Sequence, residues 1–147
     1  MPNTSDLDRA LVAKLAGDAA LTALMPDGVW MDIAPHGSKR YVRIRLIDAA
    51  NESRFGGRAY QTKAYDVEAV ALNATSDDMD AAGARIEALL EDVALPLPPD
   101  LALMDLIQLR PLRDGQHDDR DSSLHWFFRG GRYQLRASWP DSFTTPQ

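Results

Sequence analysis

Leu7, Leu11 and Leu15 recur every fourth residue with Ala10 beside them, which predicts a helix from Thr4 or Ser5 to Ala16. Thr4 or Ser5 can cap its first turn, and Gly17 ends it. Asp18 can cap a second, shorter helix in which Leu21, Leu24 and Met25 share a face. Pro26-Asp27-Gly28 then marks a turn.

Beyond that turn the period changes from helical to alternating. Val29 to Ile33 predicts a short strand, closed by Ala34-Pro35-His36-Gly37. From Arg40 to Ile47, the side chains of Val42, Ile44 and Leu46 point one way and those of Tyr41, Arg43 and Arg45 the other. One face of this strand is therefore expected to be apolar and the other cationic. Asn51 to Gly57 is polar and ends in glycine, which predicts a long hairpin loop. Tyr60 to Leu72 is the return strand, with Tyr65, Val67, Ala69 and Ala71 on one side. At ~3.3 Å per residue it would run about 40 Å.

Asp77 to Asp92 predicts one long helix. Thr75 and Asp78 have capping-box spacing, and aspartates fill the first turn, where the helix dipole favours them. Met79, Ala82, Ile86, Leu89, Leu90 and Val93 form its apolar stripe. The prolines between Leu95 and Pro99 make a stiff connector. Leu103 to Leu112 predicts a strand, followed by an Arg113-Asp114-Gly115 turn and an acidic loop through Ser122. Leu124 to Ala137 predicts a last strand, with a bulge or bend at Gly130-Gly131. The expected fold is α+β: a mainly antiparallel sheet with one long amphipathic helix and the N-terminal helices packed on one face. Residues 1–138 form one domain in this reading, and residues 139–147 a tail that is mobile or partner-bound.

A length of 147 residues fits that single domain. Scaling of surface with mass has about two-thirds of the extended surface buried on folding, enough for a core without covalent staples. The chain has no cysteine, which excludes disulfides, thiolate metal sites and thiol nucleophiles. Three histidines, His36, His117 and His125, are too few for histidine-rich metal chemistry. Phosphate-binding glycine loops, dinucleotide fingerprints and nucleophile elbows are missing. His117-Asp118-Asp119-Arg120-Asp121 holds metal-ligand residue types but lacks the spacing of a calcium loop, so it reads as a solvated loop. No enzymatic activity, cofactor or metal is expected. No apolar run approaches the roughly 20 residues that span a bilayer. The polar N-terminal stretch is unlike a secretory leader, so no membrane partner and synthesis in the cytoplasm are expected.

The net charge of -6 is unevenly spread. From Lys39 to Lys63, seven basic residues face two acids; from Asp77 to Asp92, six acids face one arginine. A basic hairpin and an acidic helix on one domain suit head-to-tail association of copies, which closes a ring when the rotation per subunit allows. The candidate interface residues are Arg43, Arg45, Arg54, Phe55, Arg58 and Lys63, with Asp77, Asp78, Asp80, Glu87 and Glu91 as the complementary acidic face. Two other readings stand beside this one. Both segments could be merely solvated faces, or the hairpin could bind nucleic acid. For the latter, aromatic interleaving is thin, with only Tyr41, Phe55 and Tyr60 near.

Several short runs resemble the phage tail completion and tail terminator family. They are Asp18-Ala19-Ala20-Leu21-Thr22-Ala23-Leu24, Gly28-Val29-Trp30, Ile33-Ala34-Pro35 and Tyr41-Val42, with Arg113-Asp114-Gly115 in place of a later family turn. Arg40 departs from the proline that the family often has before this tyrosine. The resemblance implies a structural virion protein, assembled in the host cytoplasm and located at the tail neck. Its implied form is a homo-oligomeric, hexameric ring at the head-proximal end of the tail tube, which ends tube growth. The implied partners are the major tail tube protein and a neck or head-completion protein, with DNA passing through the lumen without sequence recognition. A neck connector is the nearest alternative. In the ring reading, the segment from Asp48 to Tyr60 is expected to order only against a neighbour or the tube.

Overall fold

The computed structural model describes residues 5–53, 59–91, 94–99 and 101–138. Three helices, α1 (Ser5–Ala16), α2 (Ala19–Leu24) and α3 (Ser76–Leu90), accompany five strands: β1 (Val29–Met31), β2 (Arg40–Ser53), β3 (Ala59–Leu72), β4 (Ala102–His117) and β5 (His125–Ser138). The class is α+β. The strands form one mixed sheet in the order β1-β2-β3-β5-β4. β1 runs parallel to β2, and the other neighbours are antiparallel.

Local chemistry explains the helix starts. Asp18 caps α2 by accepting the Leu21 amide at 2.9 Å. The same carboxylate takes a forked pair from Arg85 on α3, at 2.6 and 2.8 Å, and so ties the two helices together. That arginine holds the Asp18 carboxyl down at about 2. Thr75 caps α3 by accepting the Asp78 amide at 3.2 Å. The turn before β1 is held by Asp27, whose carboxylate accepts the Arg40 and Lys39 amides at 2.9 and 2.8 Å.

The core lies on one face of the sheet. Leu7, Leu11 and Leu15 of α1 and Met79, Ala82, Ile86 and Leu90 of α3 are buried in one cluster with Val42, Ile44, Tyr65, Val67, Ala69, Ala71 and Leu135. Leu95 and Leu97 of the proline-rich connector pack against the same cluster. Within it, the Tyr65 hydroxyl donates to Asp8 of α1, and the Lys63 ammonium lies 3.2 Å from the same carboxylate. A polar tie thus fixes α1 onto β3.

Burial pushes the Tyr65 and Tyr133 phenols well above the ordinary tyrosine range, helped at Tyr65 by Asp8 and at Tyr133 by Glu87 and Glu91. Below about pH 10 the phenols are protonated whether the chain is folded or not. Above it the unfolded chain ionises while the folded one resists, so stability is lost as pH rises. Urea titrations at pH 8 and pH 11 should show it, with up to about 1.4 kcal/mol lost per tyrosine per pH unit.

Several sequence expectations are corrected. β2 continues through Ser53, and Asn51, Glu52 and Ser53 pair with Gln61, Tyr60 and Ala59 instead of forming a loop. An extended ladder therefore occupies most of the Asp48 to Tyr60 segment already in the single chain, while residues 54–58 lie outside the described residues. β2 also bulges between Leu46 and Asp48; Leu46, still opposite Tyr65 in the inner row, is exposed at the edge of the core. Arg113-Asp114-Gly115 is no turn: it lies inside β4 and pairs with Arg129, Phe128 and Phe127. The reversal comes later, between His117 and His125. The pairing register runs unbroken through Gly130 and Gly131, and the irregularities of this hairpin lie in β4, near Met104 and Leu109. Gly130 serves close approach instead, since a Cβ there would run into the Val67 carbonyl. Val93 and residues 139–147 also fall outside the described residues.

Candidate assembly surfaces

The sheet has one face under the helices and one without them. Arg43 and Arg45 of β2 lie on the open face, as the alternation predicts, but they are not free. Arg43 reaches Glu68 at 3.2 Å, and Arg45 lies 3.5 Å from Asp66 and 4.0 Å from Glu68. Arg132 of β5 donates from one edge of its guanidinium, Nε and Nη2, to the two carboxylate oxygens of Asp66, at 2.7 and 3.1 Å, which raises its own pKa. Asp66 and Glu68 are buried beneath these three arginines. Arg43 also lies 5.4 Å from the centroid of the Phe128 ring.

The cationic face of β2 is therefore largely neutralised by its neighbour β3. A tally along the chain missed this, because the compensating acids come from strands paired only in the fold. The polar positions Asp66 and Glu68, alternating with Tyr65, Val67 and Ala69, were the signal that could have found it. Lys63 is on the other face. Its side chain is only 3% exposed and points toward Asp8, so it contributes nothing to an outer surface of the folded domain. Arg54, Phe55 and Arg58 lie outside the described residues.

The acids of α3 sit on the far side of the sheet from Arg43 and Arg45. Asp77, Asp80, Glu87 and Glu91 are exposed and Asp78 is half-buried. Two have partners within the domain: Asp78 meets Arg40 at 3.4 Å, and Asp80 pairs with Arg129. Asp77, Glu87 and Glu91 are left facing solvent with no ion pair among the described residues. The segment with metal-ligand residue types is a turn-building device. Asp118 accepts from the Arg120 amide and the Trp126 indole, and Asp121 from the Ser123 hydroxyl and amide, contacts that lower both carboxyl pKa values. Among the described residues no set of three or more acids or histidines is placed to hold a metal, and no helix is long and apolar enough to cross a membrane.

A family model described as "Tail completion protein gp17" matches residues 9–129. The chain belongs to the tail completion family. Membership makes this tail completion protein a structural component of a virion tail. The fold has a solved counterpart in a chain of the structure titled "Virion of native gene transfer agent (GTA) particle". The two superpose with a TM-score of 0.66 at 22% identity, over 90% of this chain and 94% of the other. No curated protein sequence matches. The short runs that carried the resemblance lie in α2, β1, the following loop and β2, all inside the matched span.

Proposed function

We propose that this tail completion protein assembles as a hexameric ring at the head-proximal end of the tail tube, where it ends tube polymerisation and joins the tail to the neck. The observation that carries this reading is the family match over most of the chain. The charge layout supports it. The outward acids of α3 and the basic residues between β2 and β3 in the sequence belong to different segments, the arrangement that heterologous contacts between copies require. In this proposal Arg54, Phe55 and Arg58 meet the tube or a neighbour, and Asp77, Glu87 and Glu91 supply the complementary negative surface. Carboxylates already occupy Arg43 and Arg45, so a phosphate backbone would have to displace them, which favours assembly over nucleic-acid binding.

Light scattering with negative-stain imaging tests the ring, both alone and with assembled tail tubes. An open-centred species of six subunits, or capped tubes of fixed length, is the expected result. Tubes that grow equally long with and without the protein would refute the reading. Reversing Arg54 and Arg58 to glutamate together should impair capping while leaving circular dichroism unchanged.

A further inference from the structure

The exposed large apolar side chains are not scattered. Trp30, Ile33, Leu46 and Ile47 lie on or beside β1 and the part of β2 beyond it, while Met104, Ile107 and Leu109 lie on β4. These seven residues are 38% to 83% exposed, and they mark the two edges of the sheet. Both edges are open. β1 covers β2 only from Val42 to Ile44, so from Arg45 onward no strand among the described residues pairs with the outer side of β2. β4 is the opposite edge strand along all 16 of its residues.

Resting on the ring reading above, we infer that the outer edge of β4 in one copy docks against the outer edge of β2, beyond β1, in the next copy. The strand directions permit it. β2 and β5 run one way, β3 and β4 the other. With the helices kept on one side, β4 of one copy meets β2 of the next in antiparallel sense, the more stable pairing. The two edges differ, so the contact is heterologous and repeats around an axis.

Charge agrees with this pairing. Arg110, Arg113 and Asp114 on β4 have no ion pair among the described residues, the Asp114 carboxylate accepting the adjacent Gly115 amide, which leaves the edge with an unpaired balance of +1. Asp32 after β1 and Asp48 on β2 likewise have none, the Asp48 carboxylate accepting only the adjacent Ala49 amide. An edge with a small positive excess thus meets an acidic one. The irregularities near Met104 and Leu109, with the missing amide of Pro111, guard β4 against generic strand addition. They select a partner with a break of its own, and β2 bulges between Leu46 and Asp48.

The absence of cysteine makes the test clean. Ile47→Cys and Ile107→Cys are prepared as separate full-length variants and treated with a short bis-maleimide under conditions where the wild type assembles. Mixed together they should give cross-linked dimers about tenfold more abundantly than either variant alone, as a heterologous contact demands. Like-with-like products in equal or greater yield would overturn the proposal by making the contact isologous. Rings that form without mixed cross-links would overturn it too, while leaving the ring reading intact. No assembly of the wild type, free or on tube ends, would remove the ring and this interface together.

Discussion

Ile86→Asp should abolish the folded state. Ile86 is fully buried on α3, inside the cluster that joins both long helices to the sheet. Removing its side-chain packing costs about 2–5 kcal/mol. The carboxylate adds several more, because it is either ionised in an apolar site or protonated at the expense of a shifted equilibrium. The sum matches or exceeds the roughly 5–15 kcal/mol that holds a domain of this kind together. A chemical-denaturation curve should show no cooperative transition. A cooperative transition in the variant would instead mean that the packing of α3 on the sheet yields enough to let water reach the carboxylate.

Gly130→Ala should be the most damaging methyl addition in the sheet. A Cβ there would meet the Val67 carbonyl oxygen and come within 2.8 Å of the Glu68 Cα, both backbone atoms of the adjoining strand. Side chains can rotate away from such a clash, but a paired strand in the middle of a sheet cannot. We expect a loss of about 3 kcal/mol, at the upper end of overpacking costs, read as a lower urea midpoint with an unchanged slope. Gly83→Ala on α3 is the matched control. Its added Cβ would lie 2.9 Å from the Arg129 Cγ, the stem of a flexible side chain. Better helix propensity, about 1 kcal/mol, offsets the adjustment, so this variant should be near neutral. If both variants lost equal stability, backbone approach at Gly130 would not be the reason for its glycine.

Elements specified by nearby residues were legible in the sequence. Asp18 and Thr75 announced their helices because a cap is a contact across three residues, and Val42, Ile44, Tyr65 and Val67 showed their inward face by simple alternation. What escaped depends on partners distant in the chain. Arg113-Asp114-Gly115 has turn chemistry, yet pairing with Phe127, Phe128 and Arg129 draws it into the strand. Gly130-Gly131 suggested a bend, whereas the reason for Gly130 is the nearness of Val67. The bulge beside Leu46 carries no glycine to mark it. Of the candidate interface, the outward acids of α3 were readable from helical spacing, but the neutralisation of Arg43 and Arg45 by Glu68 and Asp66 arises only when β2 and β3 pair.

The strand order has a consequence for biosynthesis. β5 is the last strand to leave the ribosome, yet it lies between β3 and β4. Until it arrives, β3 lacks one neighbour and β4 has none, so the nascent sheet cannot close and its long-range pairing is deferred to the end of translation. A chain terminated early is missing an interior strand, not a dispensable edge. Such fragments cannot form either of the ladders that β5 makes, with β3 on one side and β4 on the other.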